Sequence, residues 1–166
     1  MRLFTLLAIC AAPAAADVSL SFIEGAPKDR FVLTNATCGL SDATLRINLS
    51  TAPAGVIFDV TASGAGVEVF QPVEVVSGNA TTSAVTDGDQ VLTATLGPLA
   101  QGEQVIISAD LDDLQTDGAL GQIRVAGSEI AGVSATITLP NGTHIATFGT
   151  DATATFATLS DACQST

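Results

Sequence analysis

Apolar and polar residues alternate with a period of two along much of the chain, the signature of half-buried β-strands. Val18, Leu20 and Phe22 alternate with Ser19 and Ser21, and Phe31 and Leu33 resume the pattern after a Gly25-Ala26-Pro27 turn. Leu45, Ile47 and Leu49 alternate with Arg46, Asn48 and Ser50, and Leu92, Ala94 and Leu96 with Thr93 and Thr95. Val105, Ile107 and Ala109 form another row, Ile123 and Val125 straddle Arg124, and Val133, Ala135, Ile137 and Leu139 alternate with Ser and Thr. Ala152, Ala154 and Phe156 form the last such run. Asp87-Gly88 and Asn141-Gly142 are tight-turn pairs, and Asn141-Gly142 predicts a hairpin. After residue 16 no stretch keeps a 3.6-residue period. The pattern predicts an all-β fold, a single antiparallel β-sandwich of about eight to ten strands, with Ser and Thr on the wet faces.

The exception is the N-terminus. Met1-Arg2, a largely apolar Leu3 to Ile9 and Ala14-Ala15-Ala16 before Asp17 read as a charged start, a short apolar core and a small-residue cleavage site. The expected organisation is a signal peptide over 1–16, a sandwich domain over 17–160 and a short tail over 161–166. The apolar run is short of the ~20 residues a spanning helix needs, so no transmembrane anchor is expected. Leu7-Ala8-Ile9-Cys10 loosely resembles a lipid-attachment box, but Ile9 stands where a small residue is needed. The expected location is therefore outside the cytoplasm, periplasmic or extracellular.

Export changes the cysteine arithmetic. Cys10 leaves with the leader, and Cys38 and Cys163 remain to form one disulfide in an oxidising compartment. Closing so long a loop stabilises by ~4–5 kcal/mol in the chain-entropy description. The rival reading, free thiols or a catalytic cysteine, is disfavoured because Cys38 lies in a Gly-rich turn with no His nearby in sequence.

Charge and composition narrow the partners. The chain has 17 Asp and Glu against 5 Lys and Arg. Without Arg2, four basic residues face the same 17 acidic ones, a formal charge of about −13. Nucleic acid and anionic membranes are excluded as natural partners; divalent cations and basic surfaces suit better, and plain solubility is the simplest reading. A hydrophobic content of 47% excludes a disordered chain. With no Trp and no Tyr, the stacking platforms common in carbohydrate and single-strand binding are missing.

Candidate chemistry is acidic. Asp110, Asp112, Asp113 and Asp117 follow a strand into its loop, and Asp87 and Asp89 could join them from another loop. Ca²⁺ takes such carboxylates and carbonyls at ~2.3–2.6 Å, although the spacing is not that of an EF-hand. A solvated acidic loop is the competing reading. No catalytic residue is assigned. His144 is the only histidine and no Gly-x-Ser-x-Gly elbow is present, which disfavours both a Ser-His-Asp triad and a zinc site. Glu24, Glu68, Glu74 and Glu103 could in principle supply a hydrolytic carboxylate pair. Asn35, Asn48, Asn79 and Asn141 head Asn-x-Ser/Thr triplets, expected by chance in so Thr-rich a chain.

Five strings carry a family resemblance. They are Phe22-Ile-Glu-Gly-Ala-Pro-Lys-Asp-Arg-Phe31 with Thr34, Asn35 and Cys38; Gly55-Val-Ile-Phe-Asp-Val60; Gly66-Val-Glu-Val-Phe-Gln-Pro72; Val85-Thr-Asp-Gly-Asp89; and Glu129-Ile-Ala-Gly-Val133. Over most of the mature chain they resemble small exported proteins of marine alphaproteobacteria labelled "aggregation factor core". That label echoes sponge proteins of Ca²⁺-dependent adhesion. The resemblance implies an exported β-rich protein and supplies no catalytic residues. The expected function is non-enzymatic: adhesion, aggregation or surface interaction with a protein or cell-surface partner, with self-association through an open strand edge and with Ca²⁺ as a stabiliser. The alternatives are a periplasmic binding or accessory module of an envelope complex and a small secreted hydrolase.

Overall fold

A computed structural model describes residues 17–61, 69–114, 124–157 and 159. Residues 1–16, the expected leader, and those after residue 159, Cys163 among them, lie outside this set, as do Asp117 and Ile123. The expected sandwich is what the chain forms. Its strands are β1 (Val18–Ile23), β2 (Asp29–Asn35), β3 (Ala43–Asn48), β4 (Ile57–Asp59), β5 (Glu74–Ser77) and β6 (Ala80–Thr82). They continue with β7 (Val91–Leu96), β8 (Gln104–Asp112), β9 (Ser134–Leu139), β10 (Gly142–Thr147) and β11 (Thr153–Phe156).

One antiparallel sheet has the order β11-β1-β2-β8-β4, with β5 also paired to β8; the other runs β10-β9-β3-β7-β6. The alternating residues become the inner faces. Val18, Leu20, Phe31, Leu33, Val105 and Ile107 of the first sheet are buried in one core with Leu45, Ile47, Leu92, Ala135 and Ile137 of the second. Phe31 links Phe22 and Phe148, with ring centroids 5.6 and 6.2 Å away in tilted and edge-on geometry.

Among the described residues there are eleven strands against about eight to ten expected, and the short ones account for the difference. All three β4 residues are buried, whereas no residue of β5 or β6 is, so none of these strands alternates between buried and exposed. Four expected strand residues fall elsewhere: Leu49 opens a 3₁₀ turn, Val133 and Ala152 lie one residue before β9 and β11, and Val125 is buried but outside any strand. The hairpin forms, but Leu139 pairs with Gly142, so Pro140 and Asn141 make its turn and Gly142 starts β10.

The Asp87-Gly88 turn also forms. Asp89 N–H donates to Thr86 O at 3.0 Å, and Gly88 takes the positive φ of +78°. This turn covers the outer edge of β4: Gly88 N–H donates to Phe58 O and Phe58 N–H to Asp89 O, each at 2.9 Å. At the opposite end, the buried Asn35 fixes the approach to Cys38. Its Nδ2 donates to Cys38 O and Leu99 O, and its Oδ1 accepts from Thr37 N and Oγ1. Cys38 is disulfide-bonded, and Cys163, its expected partner, is outside the described residues.

Candidate functional site

Three strand ends meet at one rim of the first sheet. The β2–β8 ladder stops at Asp29 opposite Ala109, while β8 runs on to pair Asp110 with Asp59 and Asp112 with Ile57 of β4. Where β2 has ended and β8 continues, a cavity of about 220 Å³ remains. Its walls are Gly25, Ala26 and Pro27 of the β1–β2 loop, Leu111, Asp29, Asp110, Gln71 and Arg124. Gln71 reaches the cavity because its backbone N–H is anchored on Val60 O at 3.0 Å.

Polar groups around the cavity are unevenly matched. Gln71 Nε2 donates to Asp110 Oδ2 at 2.6 Å, and Gly25 N–H donates to Asp29 Oδ1 at 2.9 Å. Gln71 Oε1 is buried and has no hydrogen-bond partner among the described residues. Asp29, Gln71 and Asp110 are 4, 7 and 7% exposed, so water competes little for their oxygens. The nearby cations are already engaged: Arg124 Nη2 lies 2.7 Å from Glu24 Oε1, and Lys28 Nζ bonds Glu74 Oε2 and Pro72 O at 2.6 Å each.

Burial raises these carboxyls. Asp29 is pushed up to about 7, mainly by burial and further by the charges of Asp110 and Glu24; the Gly25 bond and Arg124 oppose the rise. Asp110 rises to about 6 through burial and its cross-strand neighbour Asp59, eased by Lys28 and Gln71. Asp112 rises to about 7 through burial and the charges of Asp59, Asp110, Asp113 and Asp87. One Asp112 oxygen, Oδ1, is also buried without a partner among the described residues. Like charges directly opposite on paired strands are destabilising, so the Asp59–Asp110 pair is costly to keep.

The expected acidic set is thus only partly assembled. Asp110, Asp112 and Asp113 share the rim, and Asp87 approaches it by accepting from Val60 N–H at 3.2 Å. Asp89 is turned to its own loop: Thr86 N–H and Oγ1–H both donate to Oδ2, holding this carboxyl below its usual range. Among the described residues no three Asp, Glu, His or Cys side chains gather closely enough to hold a metal ion. His144 lies on β10 of the second sheet, opposite Ile137. Of the candidate glutamates, Glu24 and Glu74 serve Arg124 and Lys28, Glu103 accepts from Ala100 N–H, and Glu68 lies outside the described residues.

Sequence reasoning missed Asp29, Asp59 and Gln71. Asp29 carried a readable signal, since it continues the inward row of Phe31 and Leu33. Asp59 also stood out, as a lone charge in the apolar run Val56 to Val60. Gln71 gave none, because only the folded loop carries it to Asp110.

Exposed apolar side chains lie next in sequence to several of these residues. Ile23, Val69, Phe70 and Leu114 are 50, 54, 66 and 60% exposed. They flank, in sequence, the β1–β2 loop, Gln71 and Asp113. No protein family, curated protein or solved structure matches the chain. Among the described residues no helix is long and apolar enough to cross a membrane.

Proposed function

We propose that the chain is an exported β-sandwich that works by contact rather than catalysis, in adhesion or aggregation at the cell surface, and that this rim is its contact face. The observation that carries the reading is the exposure of Ile23, Val69, Phe70 and Leu114, next in sequence to the β1–β2 loop, Gln71 and Asp113. Large apolar side chains left exposed mark interaction surfaces, and an exposed Phe is a natural anchor. The leader-like N-terminus, the Cys38–Cys163 pairing and the resemblance to aggregation-factor-core proteins support export and the adhesive role.

The test uses the mature chain and a Phe70→Ser/Leu114→Ser variant, both checked for unchanged circular dichroism. Wild-type protein is expected to bind or cluster the producing cells, and the variant to lose that activity. Equal activity of the two would remove the rim from the proposal. Binding only to an isolated envelope complex would favour the accessory-module reading.

A second reading, a small secreted hydrolase, draws on a different observation. Asp29 and Asp110 face one cavity with carboxyls raised to about 7 and about 6, the range useful to an acid–base pair. It requires turnover of glycoside or ester substrates that disappears in Asp29→Asn.

A further inference from the structure

We propose that the cavity bounded by Asp29, Gln71 and Asp110 is a binding site for a primary alkylammonium group. The inference deepens the contact reading above, since a lysine side chain of a partner carries that group. It stands separately, because a free amine would use the same chemistry.

The argument rests on donors and acceptors. The cavity offers Asp29, Asp110 and the buried, unpartnered Gln71 Oε1. Three donors beside them already have acceptors: Gln71 Nε2 on Asp110, Gly25 N–H on Asp29 and one Arg124 N–H on Glu24. A carboxylate guest would meet the like charges of Asp29 and Asp110, and a hydroxyl brings only one donor to several acceptors. An ammonium brings three donors and no acceptor, so it matches three oxygen-bearing walls. It also adds positive charge where Asp29, Asp110, Glu24 and Asp59 outnumber Lys28 and Arg124.

Size and wall chemistry separate this guest from a metal ion. Ca²⁺ requires six to eight oxygens at ~2.3–2.6 Å, and the described residues gather no group of three acidic, His or Cys ligands. An ammonium needs only hydrogen-bond distances of ~2.7–2.9 Å. Its methylene stem would lie against Ala26, Pro27 and Leu111. The volume of about 220 Å³ exceeds the ~150 Å³ that holds a benzene-sized guest, which leaves room for a flexible four-carbon stem.

Binding also suits the protonation of the site. Asp29 and Asp110 face each other's charge together with Glu24, Asp59, Lys28 and Arg124. An entering cation favours their ionised forms, so affinity should rise from pH 5 to pH 8, where alkylamines remain charged.

The experiment is amide-resolved NMR of the mature wild-type chain titrated with n-butylammonium, with n-butanol and CaCl₂ in parallel. The expected result is saturable butylammonium binding that shifts Gly25 N–H and the Gln71 side-chain amide, with butanol weaker by at least about tenfold. Asp29→Asn and Gln71→Met, each verified by a native-like spectrum, should weaken it by a similar factor. Nα-acetyl-lysine-N-methylamide and 1,4-diaminobutane then separate a peptide source from a free polyamine source. Equal binding of butanol and butylammonium, shifts confined to other surfaces, or no saturation by wild-type protein would overturn the proposal. A CaCl₂ response at the same amides that excludes the amine would overturn it in favour of a metal. None of these outcomes alters the cell-binding comparison, so the two proposals fail independently.

Discussion

At the scale of single residues, the molecule is governed by a few polar groups placed where the core would rather be apolar. Asp29, Asp110 and Asp112 have folded-state values of about 7, 6 and 7, against 3.8 in the unfolded chain. Below pH 3.8 both states hold these protons. As pH rises from 4 to 7 the unfolded state releases them first, so stability must fall with pH across that window. The melting midpoint is expected to drop by several degrees between pH 5 and pH 8, and the drop should shrink in Asp29→Asn. A midpoint that rises over that interval would show that these carboxylates are held ionised. Asn35 is the opposite case, a buried side chain with all its groups satisfied. Asn35→Leu should cost about 2 kcal/mol or more in urea unfolding, since it takes the buried acceptor from Thr37 N–H and Oγ1 and removes the donors to Cys38 O and Leu99 O. The same bonds leave no free amide on folded Asn35 for a glycan, despite its Asn-x-Thr triplet.

At the scale of elements, β8 is the spine. It pairs with β2, β4 and β5, and its own alternation was readable as Val105, Ile107 and Ala109. The same alternation, continued through Leu111, places Asp110 and Asp112 on the other face. The acidic half of the site, Asp110 and Asp112, was therefore legible as a candidate from this strand. The other half comes from elements that alternation cannot reveal: a three-residue β4 buried throughout, and a loop at Gln71 whose place depends on a backbone bond to Val60. The crossing from β5 of one sheet to β6 of the other was equally silent. It turns at Gly78, where φ is +85° and a Cβ would lie 2.4 Å from Gln104 O and 2.9 Å from Val105 Cγ2. Gly78→Ala is therefore expected to destabilise by about 2 kcal/mol or more, because both the backbone conformation and the space are wrong for a side chain. A midpoint in urea equal to wild type would show that the crossing relaxes freely.

At the scale of the whole molecule, two-residue periodicity made the sandwich legible, because burying one face of each strand requires it. It could not show which strand ends share a rim, since that follows from registers such as Asp29 with Ala109 and Asp59 with Asp110. The acidic string Asp110 to Asp113 was visible, but the carboxylate that joins Asp110 at the cavity comes from β2, far away in sequence. The second sheet buries Phe148, Ile137 and Leu45 and sends no residue to the cavity, leaving the rim of the first sheet as the chemically distinct end. Ile145 and Val76, exposed on β10 and β5, offer the competing idea of contact through a strand. Hydrogen exchange of the mature chain, free and then bound to cells of the producing organism, decides between the two. The contact-face account predicts slowed exchange at 23–29, 69–73 and 113–114 on binding, with β10 and β5 unchanged. Protection confined to β10 or β5, with the rim exchanging as in the free protein, would contradict it.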